Sequence, residues 1–232
     1  VTKWLAFFVL LALPVFADER PVVVELFTSQ GCSSCLPAAK VFEPLTRDPG
    51  VLALTFHVDY WNKNGWEDPF SSPQFSARQF AYSKSLRTRG MYTPQAVIDG
   101  KAERVGSDAE ALRSALEGAR TAHRGADRYL IGQVLPEGGF RIGVRDAGYA
   151  KGPAELYVVG FDRTRRTTVP AGENAGKIFL SSHTVRWVKS YGTWVGKGIE
   201  ASLYIEDTPW DGVALLLQDH DTGHILDARR LR

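Results

Sequence analysis

Scarcity sets the first limits on this 232-residue chain, which has two cysteines, Cys32 and Cys35, and five scattered histidines. A structural zinc site needs four ligands, and the pair has no evident source for the other two. An excess of one charge is also missing, since 28 Lys plus Arg against 26 Asp plus Glu leave a net charge of +2. That balance gives no electrostatic footprint for nucleic acid. The chain has no Gly-rich phosphate loop, no G-x-S-x-G elbow with a Ser-His-Asp order, no internal repeat and no low-complexity tract. One apolar run stands out, at the N-terminus: Trp4 to Val15, apolar apart from Pro14, preceded by Lys3 and followed by Phe16-Ala17. Residues 1–17 read as a secretory signal peptide cleaved before Asp18. The run is shorter than the roughly 20 residues that a membrane helix needs. The expectation is a periplasmic or secreted protein with no stable membrane span after signal cleavage.

The two cysteines that are present stand three apart, in Cys32-Ser33-Ser34-Cys35. Pro21 to Phe27 before them reads as a buried strand, and Leu36 to Leu45 after them as a helix. A C-x-x-C at a strand-to-helix turn is the thioredoxin-like redox signature. Free amides at a helix N-terminus stabilise a thiolate, the reactive form of cysteine. A purely structural disulfide is the competing reading, and magnitude disfavours it. A loop this short constrains the unfolded chain by only about 2 kcal/mol, against about 4.7 kcal/mol for a loop of about 100 residues. In an oxidising space the pair tends to sit closed unless a partner reduces it.

The first half alternates strand and helix. Val51 to Asp59 reads as a central strand and Pro73 to Arg87 as a helix with Phe75, Phe80, Tyr82 and Leu86 inward. Gln95 to Ile98 and Ala102 to Val105 make a hairpin across Asp99-Gly100. A last helix runs to His123, capped by Ser107 with Glu110 three residues on. From about Asp127 the helical period disappears and short strands alternate with turns, the pattern of a β-sandwich. Arg163, Arg165 and Arg166 read as a solvated basic turn. The expected fold class is therefore an α/β thioredoxin-like N-terminal domain over residues 21–124, followed by an all-β sandwich-like C-terminal domain over 128–232.

Val24 to Cys35, His57-Val58-Asp59-Tyr60-Trp61, Gly65 to Phe70, Tyr92-Thr93-Pro94-Gln95, Glu173 to Lys177 and Ser182 to Arg186 together resemble the exported thioredoxin-like family known as domain-of-unknown-function family 1223. The resemblance covers nearly all of the chain after the leader, and implies a fold and an exported location without an activity. The chain departs from it at Leu36, where a second proline beside Pro37 is expected.

Cys32 is the expected attacking thiol, facing solvent at the helix start, and Cys35 the buried resolving thiol. Pro94 is expected to be cis and to lie against the pair, with Thr93 turned toward substrate. Tyr60 and Trp61, in an aromatic loop that runs to Phe70, either bind substrate or close the core beneath the loop. His57 and Asp59 share a strand face. Either could relay a proton to Cys35, although His57 reads better as a satisfied core histidine and Asp59 equally well as a loop cap. His183 has no identifiable partner. The favoured function is thiol-disulfide oxidoreduction on cysteines of exported proteins, with an unidentified redox partner and no cofactor or resident metal. The alternative is a non-catalytic envelope binding protein, for a ligand, a partner or a soft metal, in which the disulfide stiffens the site.

Overall fold

The computed structural model describes residues 20–136, 139–146, 152–203 and 211–232. The expected signal peptide at 1–17 lies outside them. The first half runs β1 (Val22–Thr28), α1 (Cys35–Phe42), β2 (Val51–His57), α2 (Pro73–Ser85), β3 (Gln95–Ile98), β4 (Ala102–Val105) and α3 (Ala109–His123). The second half is all strand among the described residues: β5 (Leu130–Val134), β6 (Phe140–Val144), β7 (Ala154–Thr168), β8 (Ile178–Trp194), β9 (Ile199–Leu203), β10 (Gly212–Asp219) and β11 (Ile225–Arg230).

The two halves do not form an α/β thioredoxin-like domain and a separate β-sandwich, and that expected fold class is overturned. Strands of both halves join in one eight-stranded mixed sheet in the order β11-β10-β7-β8-β2-β1-β3-β4. A second sheet, β5-β6-β9, has three strands. The joint between the halves lies where β2 runs parallel to β8, with Thr55 opposite Thr184. Beside it, Thr55 Oγ1 donates to the Ser182 carbonyl at 2.6 Å, and His183 Nδ1 lies 2.9 Å from the Ala53 carbonyl. Pairing between strands more than a hundred residues apart leaves no trace in local periodicity, so the sequence pattern could not show it.

Side-chain alternation divides the apolar residues among three packed layers. In β1, Val22, Val24 and Leu26 pack with Ala38 and Phe42 of α1 and with Leu112 and Leu116 of α3. Val23 and Phe27 face the other way and join Leu54 and Phe56 of β2, Phe75 and Tyr82 of α2, Phe161 of β7 and Leu216 of β10. The small sheet packs Phe140 and Ile142 against Leu156, Trp194, Val213 and Leu215. Truncating a buried leucine in such a layer costs about 2–5 kcal/mol.

Three local expectations are corrected. Phe80 of α2 points to solvent. Asp108, not Ser107, caps α3, its carboxylate accepting the Ala111 amide at 2.9 Å. Arg163, Arg165 and Arg166 are not a turn: β7 continues through them to Thr168 and β8 starts at Ile178, so the pair forms one long antiparallel hairpin. Paired backbone overrides the local charge pattern there, because Thr164 to Thr168 find partners in Ser182 to Ile178.

A charged cluster lies within the inner layer. Glu25 of β1 accepts Arg78 Nε at 2.7 Å and the Tyr82 hydroxyl. Arg78 also reaches Gln218 Oε1 and the Tyr82 oxygen, each at 3.0 Å, and stacks near the rings of Phe56, Tyr82 and Tyr157. Burial alone would lower the arginine pKa, but the Glu25 carboxylate, with Tyr82 and Tyr157, offsets it and holds the guanidinium above its ordinary value. A cavity of about 380 Å³ opens beside Arg78, Tyr157 and His220. Its lining includes none of the residues around the cysteines.

Candidate functional site

Cys32 and Cys35 are joined in a disulfide with their Cα atoms 5.4 Å apart. The site is built where β1 ends. Cys35 is the first residue of α1, and its amide donates to the Cys32 carbonyl at 3.2 Å. The Ser34 side chain does not cap the helix. Its hydroxyl lies 3.2 Å from Cys32 Sγ and donates to the Thr93 carbonyl at 3.5 Å. The Thr93–Pro94 bond is cis, as the sequence led us to expect, and the Thr93 carbonyl stands 3.9 Å from Cys32 Sγ.

The expectation that Cys32 faces solvent is wrong. Both cysteines are 0% exposed, although Ser33 and Ser34 between them are exposed. Val169 and Phe179, at the two ends of the turn between β7 and β8, pack directly on the pair, and Leu36, Ala39, Trp61 and Trp66 flank it. The physical reason is the length of the hairpin, which carries residues 169–177 across the end of α1.

Three side chains fasten that end of the hairpin. Asn174 is fully buried, and its amide donates to the carbonyls of Gln30 and Cys32, each at 2.9 Å. Glu173 accepts the Ser33 amide at 3.1 Å, and hydrogen bonding from the Ser33 side chain and then from this amide holds its carboxyl below the usual carboxylate value. Thr167 Oγ1 accepts Gln30 Nε2 at 3.0 Å. Gly172, at φ +76°, lets the turn pass close to Asn64 and Trp66, where a side chain would be both strained and crowded.

His57 and Asp59 do not meet the sulfurs. His57 is fully buried, with Nδ1 2.6 Å from Asp68 Oδ2 and Nε2 2.8 Å from Ser181 Oγ. Asp68 also accepts the amides of Gln30 at 2.7 Å and Phe70 at 3.0 Å. Burial alone would raise the Asp68 pKa, but His57 and these amides hold it below its ordinary value. Asp59 is engaged by the Ser76 hydroxyl. Tyr60 donates to Gln79 Oε1 at 3.1 Å, and burial pushes its phenol up to about 12. Trp61 is half-buried against the disulfide and the inner layer, so it closes the core beneath the loop. Trp66 donates to Gln30 Oε1 at 3.0 Å. Among the described residues no group of three or more His, Cys, Asp or Glu could hold a metal ion. Among them, too, no helix is long and apolar enough to cross a membrane.

Sequence reasoning singled out neither Gln30, Asp68, Glu173 and Asn174 nor Ser181 as site residues. The first four do lie within the quoted blocks, and polar residues recurring there were the available signal.

Fold and site together define the class in outline: a protein with a mixed sheet and one C-x-x-C disulfide at a helix start. Residues 23–218 match the family described as "Protein of unknown function (DUF1223)", and the chain belongs to that family. No curated protein matches. The crystal structure of protein AGR_C_4864 from Agrobacterium tumefaciens is similar at 30% identity with a TM-score of 0.78, over 93% of this chain and 96% of that one. HBP35 of Porphyromonas gingivalis is similar at 15% identity with a TM-score of 0.58, over 92% of this chain and 75% of that one, a likeness of fold alone.

Proposed function

We propose that the protein exchanges thiols and disulfides with other exported proteins through Cys32 and Cys35. The observation that carries this reading is the closed pair at the first turn of α1, beside the Ser34 hydroxyl and the Thr93 carbonyl. Free amides at a helix start favour a thiolate at Cys32 once the bond is reduced. The Cys32 thiolate then attacks one sulfur of a target disulfide. A mixed disulfide forms, and the target's other sulfur leaves as a thiolate and takes up a proton. Cys35, having released its proton, attacks Cys32 Sγ and frees the second target thiol. The dithiol gives two electrons and two protons to the target, and the reverse sequence oxidises a target dithiol. Thr93 and Tyr60 would border an incoming chain. The leader-like segment at 1–17 supports export. His57 and Asp59 have no described contact to either sulfur, so the proton of Cys35 is assigned to neither.

The test is a Cys35→Ser variant made in the native host. Mixed disulfides through Cys32 are expected, and a redox titration of the protein with both cysteines intact, read by alkylation and intact mass, should give a midpoint within the range of the envelope. Absence of any trapped protein, with a midpoint far below that range, refutes exchange.

A second reading has one observation in its favour, the complete burial of both sulfurs. In it the disulfide only stiffens a binding protein, and a protein with both cysteines changed to serine keeps its function.

A further inference from the structure

We infer that Asn174 is a positioning residue for the disulfide, and that the turn carrying it is a cap that must lift before Cys32 can react with another protein. The inference rests on the exchange reading and names what controls access to its sulfur.

Attack on a disulfide requires a thiolate to approach one sulfur in line with the bond that breaks. No such approach is open in this arrangement, because both cysteines are 0% exposed beneath Val169, Phe179, Trp61 and Trp66. Two of these four residues belong to the β7–β8 hairpin. The turn between the strands is internally bonded: the Val169 amide donates to the Lys177 carbonyl at 2.9 Å, the Gly176 amide to Val169 at 2.8 Å, and the Ala175 amide to Gly172 at 3.1 Å. It can therefore move as a unit without losing its own backbone pairing.

What holds it down is a short set of side-chain bonds to the chain around Cys32. Asn174 spends both amide hydrogens on the carbonyls of Gln30 and Cys32, and its oxygen accepts Lys177 Nζ at 3.2 Å. Both carbonyls belong to the loop that sets the position of Cys32, so the same amide fixes the cysteine backbone and closes the cover. Glu173 takes the Ser33 amide, at the mouth of the helix where a thiolate would develop. Its negative charge disfavours that thiolate while the cap is down. Closing the cap thus shields the sulfur and works against the reactive form, and lifting it reverses both effects.

The test compares rates of disulfide reduction by dithiothreitol, read by alkylation and intact mass, in the oxidised full protein. The wild-type bond should react at least tenfold more slowly than a free peptide containing Cys-Ser-Ser-Cys. Asn174→Ala should accelerate reduction about tenfold or more. Glu173→Gln, at an exposed position that leaves the core intact, should accelerate it about two- to threefold and lower the pKa of Cys32 in the reduced protein. A merely structural role for Glu173 would not move that pKa. Circular dichroism checks that each variant is folded, and Glu173→Gln carries the test should Asn174→Ala fail to fold. Wild-type reduction at the rate of the free peptide, or equal rates in wild type and both variants, overturns the cap. Failure of the exchange reading looks different: rates differ as stated, yet neither Cys35→Ser nor Cys35→Ser with Asn174→Ala traps a partner.

Discussion

Arg78→Met should be the most damaging single change to the inner layer that removes no apolar bulk. The methionine keeps an apolar stem among Phe56, Tyr82 and Tyr157, so packing is roughly preserved. What disappears is the counter-ion of Glu25, a carboxylate with 0% exposure, together with the bonds to Gln218 and Tyr82. Removing one partner of a buried pair costs about 3–5 kcal/mol, because the other charge stays behind unpaired. For a chain of this size that is roughly 6–20 °C in melting temperature. Total stabilities are about 5–15 kcal/mol, so the loss removes between about a fifth and all of the margin. Adding Glu25→Gln removes the stranded charge and still leaves an acceptor for the Tyr82 hydroxyl. The double variant should therefore be more stable than Arg78→Met alone by about 2 kcal/mol or more. Urea unfolding with an unchanged m-value reads both differences. A single-variant loss below about 1 kcal/mol, or a double variant no better than the single, refutes the account of this cluster.

The pH dependence should carry two signatures. Burial, with Arg230 and Arg163 nearby, lowers the His183 pKa from 6.5 to about 4 although the Ala53 carbonyl opposes the shift. Below pH 6.5 the unfolded chain takes up a proton that the folded chain refuses, so stability falls between pH 6.5 and 4 by about 2 kcal/mol. His183→Asn keeps a donor for Ala53 and tolerates the φ of 48°, and urea midpoints across that range should show a flatter slope. Asp68, held below 3.8, contributes stability at higher pH that is lost as pH falls through its lowered value. Asp68→Asn should remove that acid limb and cost at least about 2 kcal/mol at pH 7, since it weakens the bonds to His57, Gln30 and Phe70. Changing both cysteines to serine should cost about 2 kcal/mol by loop entropy, and a calorimetric loss near zero would refute that term.

The elements built from contiguous residues were legible. The apolar runs of β1 and β2, the C-x-x-C at the start of α1, and the hairpin across Asp99 and Gly100, both at positive φ, appear as read. Pro94 could be assigned a cis bond from its place just before β3, where the expected fold sets a cis proline against the C-x-x-C. Illegible were the features that need distant partners. His57 comes from β2, Asp68 from the following loop and Ser181 from β8, and only the pairing of β8 beside β2 brings the three together. The burial of Cys32 depends on Val169 and Phe179, about 140 residues away, reached along strands whose arginines mimic a turn. Charge pattern reports solvation, and an edge-exposed strand is solvated as well as a loop is.

The parallel contact between Thr55 and Thr184 is narrow, yet the apolar layer behind it is assembled from both sides. A fragment ending near residue 124 would uncover Leu54 and Phe56 and bare the outer rim of β2, an invitation to self-association. Released alone, the remaining strands would present Phe161 and Leu216 to water. Neither piece is a promising candidate for separate expression, and proteolysis between them should yield nicked chains that stay together until denatured.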